Sequence, residues 1–221
     1  MSTASVKPYK GLGMEGPVAR WYATSTRRGL GEYQALARRV AQALPAGSSV
    51  LEVAPGPGYF AVELAKLGNY AVTGLDISRT FVEMAGNNAR QAGVKVNFHQ
   101  GNAAAMPFES ESFDFLLCRA AFKNFSQPVA ALREMYRVLR PGGKAWIIDL
   151  RRDTPWKAVS QLVDGMGLGF FARIFTKLTF RFSLLRRAYT RIEMQQLLSQ
   201  TMFRKAEIQD TPVGFEISLE K

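Results

Sequence analysis

The sequence predicts an α/β fold built on a mostly parallel sheet, and three features of the chain carry that prediction. From Ser49 onward, short apolar runs alternate with segments of helical periodicity, the signature of strand–helix–strand units. Gly68, Gly93 and Pro141-Gly142 close the helical segments, as helix ends favour. The final stretches alternate apolar and polar residues on either side of Thr211-Pro212, the pattern of an antiparallel hairpin.

The elements follow in order. Tyr33–Leu44 is amphipathic through Leu36, Val40 and Leu44 and belongs to a helical lead-in. Ser49–Ala54 is a strand by its Val-Leu-Glu-Val core, and Tyr59–Leu67 is a helix after a glycine-proline turn. Tyr70–Leu75 and Arg79–Ala92 form the second strand and helix. Lys95–His99 reads as a third strand with Val96 and Phe98 inward by period two. Phe113–Cys118 is the fourth, Val129–Leu139 a helix, and Gly143–Leu150 the fifth strand. Residues 154–190 then read as helical where another strand–helix unit would continue. Arg191–Gln200 is a further helix, and Lys205–Asp210 with Val213–Glu220 completes seven strands. One domain over 1–221 is expected, with a helical flap (1–44), a core (45–153), an inserted helical cap (154–190) and a C-terminal helix and hairpin (191–221).

Composition bounds the chemistry. Cys118 and His99 are each the sole residue of their type. An internal disulfide, a thiolate zinc site and a two-histidine metal motif are therefore excluded, and no metal is expected. The formal charge of +11 is uneven: residues 1–40 carry +5, 41–150 only +1, 151–191 +7 and 192–221 −2. Basic flanks around a near-neutral centre fit an anionic partner or surface, and equally fit solvated charge that aids solubility. The first residues, Met-Ser-Thr-Ala-Ser-Val-Lys, contain no apolar core of a secretion signal. No uncharged apolar run approaches the ~20 residues of a membrane span, so the expected compartment is the cytoplasm.

Four stretches carry the functional reading. Ala54-Pro55-Gly56-Pro57-Gly58 joins the first strand to a helix; glycines there admit a ligand close to backbone and a helix N-terminus favours anions. A dinucleotide fingerprint G-x-G-x-x-G begun at Gly56 would put its third glycine at Ala61, which disfavours a pyrophosphate. Asp76 ends the second strand, where a carboxylate can accept from both hydroxyls of a ribose or cap the next helix. Gly101-Asn102-Ala103-Ala104 follows the third strand, and an amide offers donor and acceptor to a purine edge or makes a polar turn. Leu139-Arg140-Pro141-Gly142-Gly143-Lys144 is a helix stop and tight turn.

In order and spacing over about residues 45–150, this set resembles the class I S-adenosylmethionine-dependent methyltransferases. V-L-E-V-A-P-G-P-G resembles the first motif of that family, G-L-D-I-S its second, G-N-A-A-A-M-P-F its adenine-side motif and L-R-P-G-G-K its post-helix turn. The small-molecule branch that includes the ubiquinone and menaquinone biosynthesis methyltransferases is the most similar. The resemblance implies a Rossmann-like seven-stranded sheet with helices on both faces, S-adenosylmethionine as cofactor and S-adenosylhomocysteine as product. It also implies roles: Glu52 toward the methionine ammonium, Gly56 and Gly58 for close passage, Asp76 for the ribose and Ile77 over the adenine. Asn102 and the backbone of Ala103 would meet the adenine edge, the Arg119 carbonyl would face the ammonium, and Tyr22 on the flap would approach the methionine end. Two positions depart from the family: Ala54 replaces its first glycine and Asn102 its usual aspartate.

Methyl transfer from a sulfonium is an in-line displacement with a neutral leaving group. Holding the reacting atoms about 3–3.5 Å apart supplies up to ~7–11 kcal/mol of the acceleration, and a base is needed only for a protonated nucleophile. No catalytic residue is assigned. Cys118 reads as a core thiol, His99 as remote from the strand mouths, and Asp149 as one half of an ion pair with an arginine.

A small, apolar or aromatic acceptor with an O, N or C nucleophile is expected, and nucleic acid is not. Phe122, Lys123, Phe171 and Phe175 are the acceptor-side candidates. In residues 170–182, Arg173, Lys177 and Arg181 form one helical stripe and Phe171, Ile174, Phe175, Leu178 and Phe182 the opposing face. That segment fits a cap over the acceptor, an amphipathic helix in peripheral contact with a membrane, or a plain surface helix; the cap is the expectation because the segment directly follows the fifth strand. The alternatives to small-molecule methylation are an RNA-directed methyltransferase using the basic flanks and a non-catalytic cofactor-binding scaffold.

Overall fold

A computed structural model describes residues 8–11 and 13–221; the segment 1–7, read above for a secretion signal, lies outside the described residues. Its strands are β1 (Ser49–Val53), β2 (Ala71–Asp76), β3 (Asn97–Gln100), β4 (Phe113–Arg119), β5 (Leu139–Leu150), β6 (Lys205–Asp210) and β7 (Gly214–Glu220). They form one sheet in the order β3-β2-β1-β4-β5-β7-β6, with β1 to β5 parallel and β7 antiparallel to both its neighbours. The expected hairpin and the mostly parallel core are both present.

Register brings the site together. Val53 of β1 lies opposite Leu75 of β2 and Cys118 of β4. The residues that follow these three are Ala54, Asp76 and Arg119, so they sit at one edge of the sheet. Gln100 of β3 pairs with Asp76, and Ile148 of β5 with Arg119, extending that edge on both sides.

Helices cover both faces because the central strands are apolar on both. On one face α2 (Leu30–Ala43) and α3 (Tyr59–Lys66) pack Leu36, Val40, Phe60 and Leu64 against Val50, Val72, Phe115 and Leu117. On the other, α5 (Pro128–Val138) and α9 (Arg191–Leu198) pack Leu132, Met135 and Met194 against Leu51, Leu116, Cys118 and Ile147. Each such large side chain contributes about 1.5–3 kcal/mol on burial. The lead-in holds α1 (Gly16–Thr26), and α4 (Arg79–Gln91) follows β2.

Two strands differ from expectation. The third begins at Asn97 rather than Lys95, because it is an edge strand whose register follows its pairing with Thr73–Asp76. The fifth begins at Leu139, opposite Phe113, and pairing resumes at Lys144 opposite Phe115. The Arg140–Gly143 turn is thus a bulge within the strand.

Between β5 and α9 lie α6 (Trp156–Gly165), α7 (Phe170–Thr179), a wider turn over Phe180–Leu184 and the short α8 (Leu185–Arg187). Their common core is small: Val159, Val163, Phe180 and Leu185. Among the described residues no helix is long and apolar enough to cross a membrane.

Candidate functional site

Three residues in the turn after β1 take positive φ: Ala54 (57°), Gly56 (54°) and Gly58 (75°). This conformation costs an ordinary L-residue roughly 1–2 kcal/mol, so Ala54 is strained where the two glycines are not. The glycines serve different ends. A Cβ on Gly58 would meet the Ala85 Cβ at 2.8 Å and Phe98 at 2.9 Å, so this glycine also lets the start of α3 pack closely against α4 and β3. A Cβ on Gly56 would have only Tyr22 nearby, at 3.8 Å, and this is the glycine that leaves room at the strand mouth.

Two carboxylates are buried beside that turn. Glu52 accepts from the Ala61 N–H at 3.1 Å, in the first turn of α3. Burial pushes its pKa up to about 8, against the pull of that bond and of Arg119. The protein's own carboxyl group thus takes one of the N–H groups at the start of α3. Asp76 accepts from Gly56 N–H and Ser78 N–H, both at 2.9 Å, and burial raises its pKa to about 6 despite these bonds. Its two oxygens thus tie the first turn to the second. Each retains a lone pair for a further donor. The alternative helix-capping role falls instead to Ser78, whose hydroxyl accepts from Phe81 N–H at 3.1 Å.

The flap closes over these groups. Tyr22 packs edge-on to Phe81 with centroids 5.8 Å apart. Its hydroxyl pKa is raised to about 12 by burial and by Tyr33, Asp149 and Asp76, while Arg119 opposes the shift. Glu15, just before α1, accepts from Arg79 N–H at 3.0 Å, from Thr80 N–H at 3.1 Å and from the Thr80 hydroxyl. Ser78 donates its hydroxyl to the Met14 carbonyl at 2.6 Å. The flap is pinned to the N-terminus of α4 by contacts that sequence reasoning missed, since no local pattern links positions 64 residues apart.

The remaining expected residues divide. Arg119 pairs with Glu32 at 2.7 Å and lies 4.5 Å over the Tyr33 ring, and its charge still acts on Glu52 and Tyr22. Asn102 makes a tight local turn, its side-chain oxygen accepting from Ala104 N–H at 2.9 Å, with Ala103 beside it half-buried, and Ile77 half-buried near Asp76. The four acceptor-side candidates fall into a buried pair and an exposed pair. Phe122 is fully buried in the core and Lys123 is buried with it. The Lys123 ammonium donates to Asp149 at 2.8 Å, so the partner of Asp149 is a lysine rather than an arginine. Phe171 and Phe175 are 84% and 61% exposed, because Arg173 and Lys177 turn inward to Asp164 of α6 and leave the apolar face in solvent.

Cys118 is buried and its pKa is raised well above the usual thiol value, chiefly by burial, so it is a neutral core group. His99 stands on the edge strand, its ring edge-on to that of Phe108. A surface depression of about 200 Å³ beside Ala43, Leu44 and Trp146 lies at the opposite end of the sheet and holds none of these groups.

Residues 51–147 match the family model described as a methyltransferase domain. Over 176 residues the chain is 31% identical to a demethylmenaquinone methyltransferase of Chlorobaculum parvum, covering 77% of this chain and 70% of that one. The chain belongs to the class I S-adenosylmethionine-dependent methyltransferases. It is similar to the UbiE branch: the ubiquinone/menaquinone biosynthesis C-methyltransferase UbiE of Bdellovibrio bacteriovorus is 36% identical over 105 residues, 47% of this chain and 45% of UbiE. The fold of this methyltransferase matches a crystal structure from Methanococcus maripaludis with a TM-score of 0.78 at 20% identity, covering 96% and 95% of the two chains. It also matches the plantazolicin methyltransferase BpumL, crystallised with S-adenosylhomocysteine, at a TM-score of 0.67 and 15% identity over 92% and 87% of the chains. The cofactor of this methyltransferase is S-adenosylmethionine. Two buried carboxylates facing a glycine turn suit a ligand that carries two cationic centres and a ribose diol.

Proposed function

We propose that this methyltransferase transfers a methyl group to a ring carbon of a hydroquinone of the demethylmenaquinone type. The observation that carries this reading is the likeness to a demethylmenaquinone methyltransferase across 77% of the chain. The cofactor supplies an electrophilic methyl on a sulfonium.

The protein's contribution is binding, orientation and exclusion of water. Asp76 would accept from the ribose hydroxyls, Asn102 and Ala103 would meet the adenine edge, and Ile77 would cover it. Glu52 and the Arg119 carbonyl would attract the ammonium. Tyr22 is protonated at neutral pH, and burial raises its pKa further, to about 12, so it would act as a neutral wall and hydrogen-bond donor. An electron-rich hydroquinone ring carbon would take the methyl as the methyl–sulfur bond breaks and the thioether leaves neutral, and the ring proton would then leave to water. In this scheme rate comes mainly from alignment, worth up to about 7–11 kcal/mol.

The test is incubation of the enzyme and S-adenosylmethionine with a short-chain demethylmenaquinol under anaerobic reduction. A product heavier by one methylene unit, formed with S-adenosylhomocysteine and absent for the oxidised quinone, is expected. Turnover with amines or simple phenols but none with the quinol would overturn the assignment.

A further inference from the structure

We propose that the outer face of α7 is a docking surface for an anionic lipid bilayer. Phe170, Phe171, Ile174, Phe175, Leu178 and Phe182 are all exposed on α7 and the turn after it. Trp156 and Met166 add to the same inserted segment, so among the described residues eight of the thirteen exposed large apolar side chains fall within 156–182. Scattered single apolar residues are ordinary on a surface, but a concentrated patch marks an interaction site.

The helix is oriented opposite to an ordinary surface helix. Asp164 draws Lys177 to 2.9 Å and Arg173 to 3.6 Å, so these two members of the polar stripe turn toward α6 while Arg181 stays exposed, and none of the side chains of α7 is buried. Side chains as exposed as Phe171, at 84%, suit a flat apolar medium better than a small acceptor held in a pocket.

Charge decides between a bilayer and a second copy of the chain. Segment 151–191 carries nine basic and two acidic residues. Arg181 lies 5.5 Å over the Trp156 ring and Arg186 5.5 Å over the Phe182 ring; no ion pair to either is seen among the described residues. Two copies meeting through this face would bring these cations together within a protein of net charge +11. An anionic headgroup layer neutralises them while the phenylalanines enter the acyl boundary. The segment also leaves the sheet at the carboxyl end of β5, the end that bears the site.

The experiment is co-sedimentation of the full chain with phosphatidylcholine vesicles, with and without phosphatidylglycerol, across a salt series. Binding to the anionic vesicles alone, weakening with salt, is expected. Arg181→Gln with Arg186→Gln should weaken it about 25-fold, at roughly fivefold per cation. Phe171→Ser with Phe175→Ser should weaken it at least about tenfold. Both pairs should leave S-adenosylmethionine affinity unchanged, which also shows that the variants fold. Failure of the wild-type chain to bind anionic vesicles overturns the proposal, as does binding that neither pair reduces. A concentration-dependent dimer that the phenylalanine pair abolishes, with vesicle binding retained, would assign the patch to a second copy instead. None of these readouts depends on the identity of the methyl acceptor.

Discussion

Burial of Glu52 and Asp76 raises the proton affinity of both carboxylates, and this sets the response of the ligand-free protein to pH. Glu52 holds its proton up to about pH 8 and Asp76 up to about pH 6, against about 4.3 and 3.9 in an unfolded chain. Between the unfolded and folded values the native state binds more protons, so its stability is full below pH ~4 and declines as pH rises through the folded values. The slope is at most about 1.4 kcal/mol per pH unit for each group. Glu15, Asp114, Glu134 and Glu193 have lowered values and act in the opposite sense, but only in acid, below the usual carboxylate range. Urea unfolding from pH 6.5 to 8.5 should therefore show stability falling to about pH 8 and then levelling. Glu52→Gln keeps an acceptor for the Ala61 N–H and should flatten the curve. Cofactor affinity should rise with pH over the same window, by at most about tenfold per unit, because a cationic ligand favours the ionised carboxylate. A wild-type curve that is flat over this range would show that Glu52 is already ionised.

At the scale of elements, the flap and the cap are fastened by single carboxylates. Glu15 serves α1 by taking the first two N–H groups of α4, the role a cap plays for its own helix, worth about 1 kcal/mol. Glu15→Ala should speed release of S-adenosylmethionine about fivefold in stopped flow while the unfolding midpoint of the core moves little; an unchanged release rate would mean that Tyr22 and Phe81 hold the flap unaided. The same contacts mark what the sequence makes legible. Strands β1, β2, β4 and β5 are readable because burial on both faces leaves near-continuous apolar runs such as Phe113–Cys118. Edge strand β3 is half-solvated, so alternation alone places its start two residues early. Asp76, Glu52 and Gly56 are legible because motif order fixes them at the strand ends. The orientation of α7 is not, since its two-faced pattern does not say which face turns inward. That choice rests on Asp164, thirteen residues from Lys177 on another helix. The burial of Lys123 is likewise not legible, since its partner Asp149 lies 26 residues away.

Across the whole molecule, stability is graded from the sheet outward, and the grading bears on how the enzyme moves. Strands β1 and β4 are flanked on both sides by other strands and lie between two apolar clusters, so their amides should open only with global unfolding. The cap depends on the few buried side chains Val159, Val163, Phe180 and Leu185, and α7 buries none. The flap lies between these extremes, with Ala19 and Ala23 buried and Glu15 pinned to α4. Hydrogen–deuterium exchange of the ligand-free protein should therefore rank β4 slowest, α1 intermediate and α7 fastest. S-adenosylmethionine should slow exchange in α1, which carries Tyr22 over Gly56, and leave α7 unchanged. Anionic vesicles should do the reverse, because their contact is the outer face of α7. Protection of α7 by the cofactor alone would mean that the cap closes onto the site after all. The exposed phenylalanines would then be the open state of a lid rather than a lipid-facing surface.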